Sequence, residues 1–197
     1  MGAETVLKIY KAFGQDVTET VKKHTDHIRI SYYPMGTGDE VKEWLGDGFH
    51  YIPQEGKHLG DRMRNAFTRA FSDGFCRVVL LGIDIPDLPG SIMDKAFSKL
   101  FCHPSVIGPA LDGGYYLIGF QQENFLPKAF DNIPWGTQHV FNKTLSVFKE
   151  AKQNIHILHS WQDTDDYDDL VALHKRIINE ETVAHHTAIA LKAIFSS

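Results

Sequence analysis

Val78, Val79, Leu80 and Leu81 form an unbroken apolar run that ends directly in Gly82-Ile83-Asp84-Ile85-Pro86-Asp87-Leu88. Apolar residues at every position, rather than at every second one, fit a strand covered on both faces, as in a sheet flanked by helices. The pattern predicts a strand over residues 77–85 at the centre of the sheet. Around it helical and strand periods alternate. Residues 3–23 carry Val6, Ile9, Tyr10, Phe13, Val17 and Val21 at helical spacing, and 27–33 is a β-rich run stopped by Pro34. Residues 61–71 put Met63, Ala66, Phe67, Ala70 and Phe71 on one helical face, and 91–101 and 137–152 read as further helices. Residues 105–111 and 115–120 read as strands joined by Asp112-Gly113-Gly114, a strong hairpin signal. A short strand over 155–158 and a helical region from Asp165 complete a chain that alternates as α/β proteins do.

With 197 residues, 43% of them hydrophobic and 23% charged, the chain can bury one sizeable core, so a single domain over 1–197 is expected. No apolar run approaches the ~20 residues that cross a bilayer, and residues 1–6 lack a signal-peptide pattern, which predicts a soluble, cytoplasmic protein with no membrane segment. Cys76 and Cys102 stand far apart and outside any CxxC pair, so two buried, reduced thiols are expected rather than a disulfide or a zinc site. The formal charge of −5 is spread along the chain, and no stretch interleaves basic and aromatic residues, which argues against a nucleic-acid partner. The chain opens on a helix, where a doubly wound sheet opens on a strand and a phosphate-binding turn. A gap in a parallel sheet would leave ladder groups unpaired, so a strand preceding this helix in the natural protein is expected.

The chemistry is carried by carboxylates. Ligands bind beyond the carboxyl ends of strands in open α/β sheets, and Asp84 stands there, able to hold Mg²⁺ or Mn²⁺ through oxygen. Asp87 shares the turn and reads equally as a second ligand or as an acceptor for backbone donors. Asp112, Gly113 and Gly114 form a tight turn that also borders the ligand, because glycines let a ligand approach the backbone. Asp163 and Asp165 are further metal candidates, whereas Asp166, Asp168 and Asp169 suit the first turn of a helix. The loop Gln54-Glu55-Gly56-Lys57 enters a helix and offers free N–H groups, with Lys57, Arg62 or Arg64 as counter-charges for a phosphate. The alternative makes Asp61 an N-cap and the arginines a solvated face. Thr137 is a candidate N-cap, and Trp135 either a core anchor or a pocket wall. His156 and His159, three apart on a strand, point to opposite faces and make poor metal partners. No nucleophile elbow, Walker loop or dinucleotide fingerprint occurs.

Taken in order, Gln54–Met63 (Q-x-G-x-x-L-G-x-R-M), Gly82–Leu88 (G-x-D-x-P-x-L), Gly108–Gly119 (G-P-A-x-D-G-G-Y-Y-L-I-G), Ile133–Thr137 (I-P-W-G-T) and Asp163–Leu170 resemble an uncharacterised bacterial glycosyltransferase-like family of the nucleotide-diphospho-sugar transferase superfamily. The resemblance implies a three-layer α/β/α GT-A-like fold with a mostly parallel central sheet, akin to the molybdenum-cofactor and phospholactate guanylyltransferases. It further implies a nucleotide or nucleotide-sugar, an unspecified small-molecule acceptor and a divalent cation. It places the metal on Asp84 and ligand contact on Asp112–Gly114. Members begin with a strand and a basic P-G-x-x-K-T-R-L loop, which this sequence does not show. The expected activity is metal-dependent glycosyl or nucleotidyl transfer, the alternative being an idle nucleotide-binding or partner protein on the same scaffold.

Overall fold

The structure, a computed structural model, describes residues 1–179 and 184–195. Most of its elements match the expected periodicities, but the strand that opens at Arg77 ends at Leu81 rather than at residue 85, and the helix Gly38–Leu45 and the strand His50–Pro53 are additional. Helix α1 (Ala3–Lys22) leads to strand β1 (Arg29–Tyr32), helix α2 (Gly38–Leu45), strand β2 (His50–Pro53) and helix α3 (Leu59–Ser72). Then come β3 (Arg77–Leu81), α4 (Gly90–Lys99), β4 (Ser105–Pro109), β5 (Tyr115–Gln121), α5 (Val140–Glu150), β6 (His156–Ile157), α6 (Tyr167–Asn179) and α7 (His185–Phe195).

Strands β3-β5-β4-β6 form one sheet in that order, and β1 pairs with β2 in a second, parallel one. The β4–β5 hairpin is antiparallel, β5 also runs against β3, and β6 lies parallel to β4. Three of the four strands therefore share a direction. Ile92, Met93 and Ala96 of α4 and Val17 of α1 cover one face, packing on Val106 and Leu117. Met63, Phe67 and Phe71 of α3 and Phe148 of α5 cover the other, packing on Ile107, Ile118 and Phe120. This is the α/β/α layering. A third cluster joins Ile9 and Phe13 of α1 to Leu170 and Leu173 of α6 and Leu191 of α7.

Two expectations are corrected. β3 is an edge of its sheet among the described residues, not the centre, and β5 and β4 hold the interior. Val79 and Leu81 pack on one core and Val78 and Leu80 on the other, so the apolar run did signal two covered faces. Coverage of faces carries no information about lateral neighbours. Cys76 and Cys102 are free thiols as expected, but exposed rather than buried.

Helix α7 owes its start to a residue about 170 positions upstream. Asp16 of α1, wholly buried, accepts from the amides of His186 (2.9 Å) and Thr187 (2.7 Å), which lie in the first turn of α7 and have no intrahelical partners. Asp16→Ala is expected to cost about 1–2 kcal/mol, the range for losing a helix cap. Denaturant titration measures the loss, and amide exchange should place it in α7.

Candidate active site

β3 ends where the amide of Gly82 makes one last bond to the carbonyl of Tyr116 on β5 (3.0 Å), and the following turn carries Asp84. A Cβ at Gly82 would stand 2.5 Å from Oδ1 of Asp84, so only glycine lets that carboxylate fold back over the strand end. Along the same edge the β4–β5 turn presents Asp112. Its Oδ1 accepts from the amide of Gly114 (2.7 Å), and Gly113 closes the turn at φ +95° with the backbone of Gln138 where a Cβ would lie.

The third contributor is the segment after β6. Trp161 donates its amide to Pro109 and accepts from Leu111 (both 3.1 Å), which lays residues 161–165 alongside the end of β4. The amide of Thr164 reaches the carbonyl of Asp84 (2.9 Å), tying this segment to the β3 turn as well. In consequence Asp112, Asp163 and Asp165 each offer a carboxylate oxygen, all within 4.8 Å of one another.

Their electrostatics bring Asp84 into the same group. Burial, then the charges of Asp112, Asp84 and Asp165, push the Asp163 carboxyl up to about 7. Asp84 is raised by burial and then by Asp165 and Asp112, and Asp165 by burial and then by Asp112, Asp169 and Asp166. Asp112, Asp163 and Asp165 form a donor set of oxygen alone, which suits Mg²⁺ or Mn²⁺, and Asp84 acts on Asp163 through its charge. Tyr10, expected on the buried face of α1, is half exposed, and its phenol is raised by burial and by the Asp84 charge. It also pairs with Trp44 (centroids 5.8 Å).

Of its two readings, Asp87 shows that of a hydrogen-bond acceptor, with side-chain rather than backbone donors. It is buried, with Oδ1 accepting from Nε1 of Trp161 (3.1 Å) and Oδ2 from Nε of Arg176 (2.7 Å), so both oxygens are engaged. Asp166 and Asp169 cap the start of α6: the Asp169 amide donates to Asp166 (2.9 Å), and Asp169 accepts from the amides of Asp165 and Asp166. Asp168 lies in the same first turn.

The glycine loop enters α3 as expected, but His58, not Asp61, is the N-cap, with Nδ1 accepting from the Asp61 amide. Arg64 bridges Asp61 and Asp131 (2.8 Å each), and Arg62 stacks 3.7 Å over the Tyr33 ring and donates to the Gly56 carbonyl. Lys57 is exposed, its amide bonded to Asp61. Among the described residues no hydrogen bond or ion pair links this loop to the four carboxylates. Trp135 is a core anchor, packed with the aromatic cluster and edge-on to Tyr115 (6.1 Å). Thr137 makes a turn onto Pro134 (2.8 Å) ahead of α5, whose N-cap is His139.

Residues 16–137 match the family described as an uncharacterized protein conserved in bacteria (DUF2064). The chain belongs to this family. A candidate nucleotide-diphospho-sugar transferase of Desulfovibrio desulfuricans G20 is 34% identical, with a TM-score of 0.92, over 100% of this chain and 86% of that one. A cytidylyltransferase of Leptospira borgpetersenii superposes with a TM-score of 0.61 at 14% identity, covering 93% of this chain and 83% of its own. A Mycobacterium tuberculosis H37Rv protein solved in complex with manganese has a TM-score of 0.57 at 15% identity, over 82% and 84% of the two chains. Comparison with the curated proteins finds no match. The DUF2064 chain thus has the nucleotide-diphospho-sugar transferase fold and, at that coarse level, the structure of a transferase. None of its described helices is long and apolar enough to cross a membrane.

Proposed function

We propose that the protein is a divalent-metal-dependent transferase acting on a nucleoside di- or triphosphate or a nucleotide-sugar. The observation that carries this reading is the convergence of Asp112, Asp163 and Asp165 within 4.8 Å, beside Asp84 at the end of β3. So much negative charge is costly to gather without a counter-cation. Asp84, Asp112, Asp163 and Asp165 would hold Mg²⁺ or Mn²⁺, which when bound neutralises phosphate charge as a leaving group departs. Gly113 and Gly114, in the turn that carries Asp112, are further proposed ligand contacts, and Gly56, Lys57 and Arg62 are the proposed phosphate contacts. The relatives add support: one is a candidate nucleotide-diphospho-sugar transferase, another a cytidylyltransferase, and a third was solved with manganese.

Glycosyl transfer releases a nucleoside diphosphate, and nucleotidyl transfer, by attack on the α-phosphate, releases pyrophosphate. A second reading, a nucleotide-binding scaffold without chemistry, is favoured by the internal engagement of Arg62 and Arg64. Titration of nucleoside triphosphates and nucleotide-sugars, with and without Mn²⁺, on wild type and Asp84→Ala tests the proposal. Binding is expected to weaken by roughly tenfold or more when either the cation or the Asp84 carboxylate is removed. Equal, weak binding under all conditions would defeat it.

A further inference from the structure

Beyond the four carboxylates, a part-buried hydrogen-bond network centred on Arg176 adjoins three of them in the chain. Asp87, three residues after Asp84, accepts from Nε of Arg176 on α6 (2.7 Å). The same guanidinium donates through Nη1 to Oε1 of Gln162 (2.8 Å) and through Nη2 to the Gln162 carbonyl (3.5 Å). Gln162 precedes Asp163, and its amide nitrogen donates to Oδ1 of Asp169 (3.1 Å). Oδ2 of Asp169 in turn accepts from the amide of Asp165 (3.3 Å). Trp161, which opens the segment, bonds the other oxygen of Asp87 (3.1 Å).

We infer that Arg176, held on Asp87 and forked onto Gln162, is a positioning residue that clamps the 161–165 segment against the β3 turn and so sets the spacing of the proposed cation ligands. The inference rests on the reading of those carboxylates as a cation site. Left to themselves, Asp84, Asp163 and Asp165 repel one another, and a segment without regular structure yields to that force. A planar guanidinium with several donors in fixed directions resists it, because one rigid group addresses the turn and the segment together. Lysine would keep the charge beside Asp87 and lose the fork.

Arg176→Met, Arg176→Lys and Gln162→Ala separate positioning from mere structural support. The readouts are Mn²⁺ affinity by titration and, without metal, hydrogen exchange of the Thr164 amide, whose bond to Asp84 reports the junction between segment and turn. In Arg176→Met, Mn²⁺ is expected to bind roughly tenfold or more weakly, and the Thr164 amide to exchange faster by a similar factor. Arg176→Lys should melt near wild type but follow Arg176→Met in Mn²⁺ affinity. Gln162→Ala cuts the arm without unpairing buried Asp87, so it decides the matter should Arg176→Met fail to fold. Variants that fold, bind Mn²⁺ as wild type does and leave Thr164 protected would overturn the inference. Should wild type itself bind no Mn²⁺, the proposed function falls, and the Thr164 amide alone decides whether the clamp exists.

Discussion

Asp163→Asn is expected to weaken Mn²⁺ binding at pH 8 by roughly 100-fold, since loss of a ligand should match or exceed the 10–100-fold cost of losing a ligand's supporting contact. The same substitution should flatten the pH profile of binding. In wild type the Asp163 carboxyl is held near 7, first by burial and then by Asp112, Asp84 and Asp165. A cation must displace that proton, so affinity should fall about tenfold per unit as pH drops below 7 and level off above it. Wild-type affinity that stays constant between pH 6 and 8 would refute the assignment.

The same group gives a stability signature in the absence of metal. Its carboxyl sits above the ordinary value of 3.8, so between that value and about 7 the folded state binds more protons than the unfolded state. Stability of the metal-free protein should therefore decline as pH rises through this window, opposite to the behaviour of a salt-bridged aspartate. Asp84 and Asp165, both raised, act in the same direction. Added Mn²⁺ should reverse the decline above pH 7, because binding to the folded state alone stabilises it. Chemical denaturation with and without metal reads both effects.

How far the site is legible in the sequence depends on which interactions are local. Asp84 could be placed because a dry strand that ends in Gly-x-Asp-x-Pro leaves the carboxylate at its mouth, and the β4–β5 hairpin because Asp112-Gly113-Gly114 supplies the positive φ that the turn uses. Residues 163–165 could be noticed only as a run of acids. Their partnership with Asp112 depends on Trp161 pairing beside Pro109, about 50 residues away, and no local pattern encodes that register. The partner of Asp87 was hidden for the same reason: Arg176 lies on α6, and a part-buried ion pair looks in sequence like any turn aspartate. Helix α2, without a single buried residue, and strand β2, with only Ile52 buried, have too little apolar patterning to announce themselves.

Phe120→Ala is expected to be the most damaging core substitution, at about 3–5 kcal/mol, which is a large part of the 5–15 kcal/mol a typical domain possesses. Phe120 is fully buried on β5 between Val78 of β3 and Ser105 of β4. Its ring meets Phe67 edge-on (5.1 Å), stacks on Phe148 (5.9 Å) and touches Phe125 and Phe130, so truncation would open a cavity walled by four other aromatic rings. Rigid rings anchored to α3 and α5 collapse poorly into such a space, whereas Phe120→Leu should cost only about 1–2 kcal/mol because most of the volume stays filled. The denaturation midpoint should shift without a change in slope. A cost below about 2 kcal/mol for the alanine variant would mean that Phe125, on its short connecting segment, swings into the hole. Because Tyr115 and the Asp112 turn lie at the opposite end of β5, the folded fraction of Phe120→Ala should keep wild-type Mn²⁺ affinity. The aromatic core would then set how much protein is folded, and the strand ends what the folded protein binds.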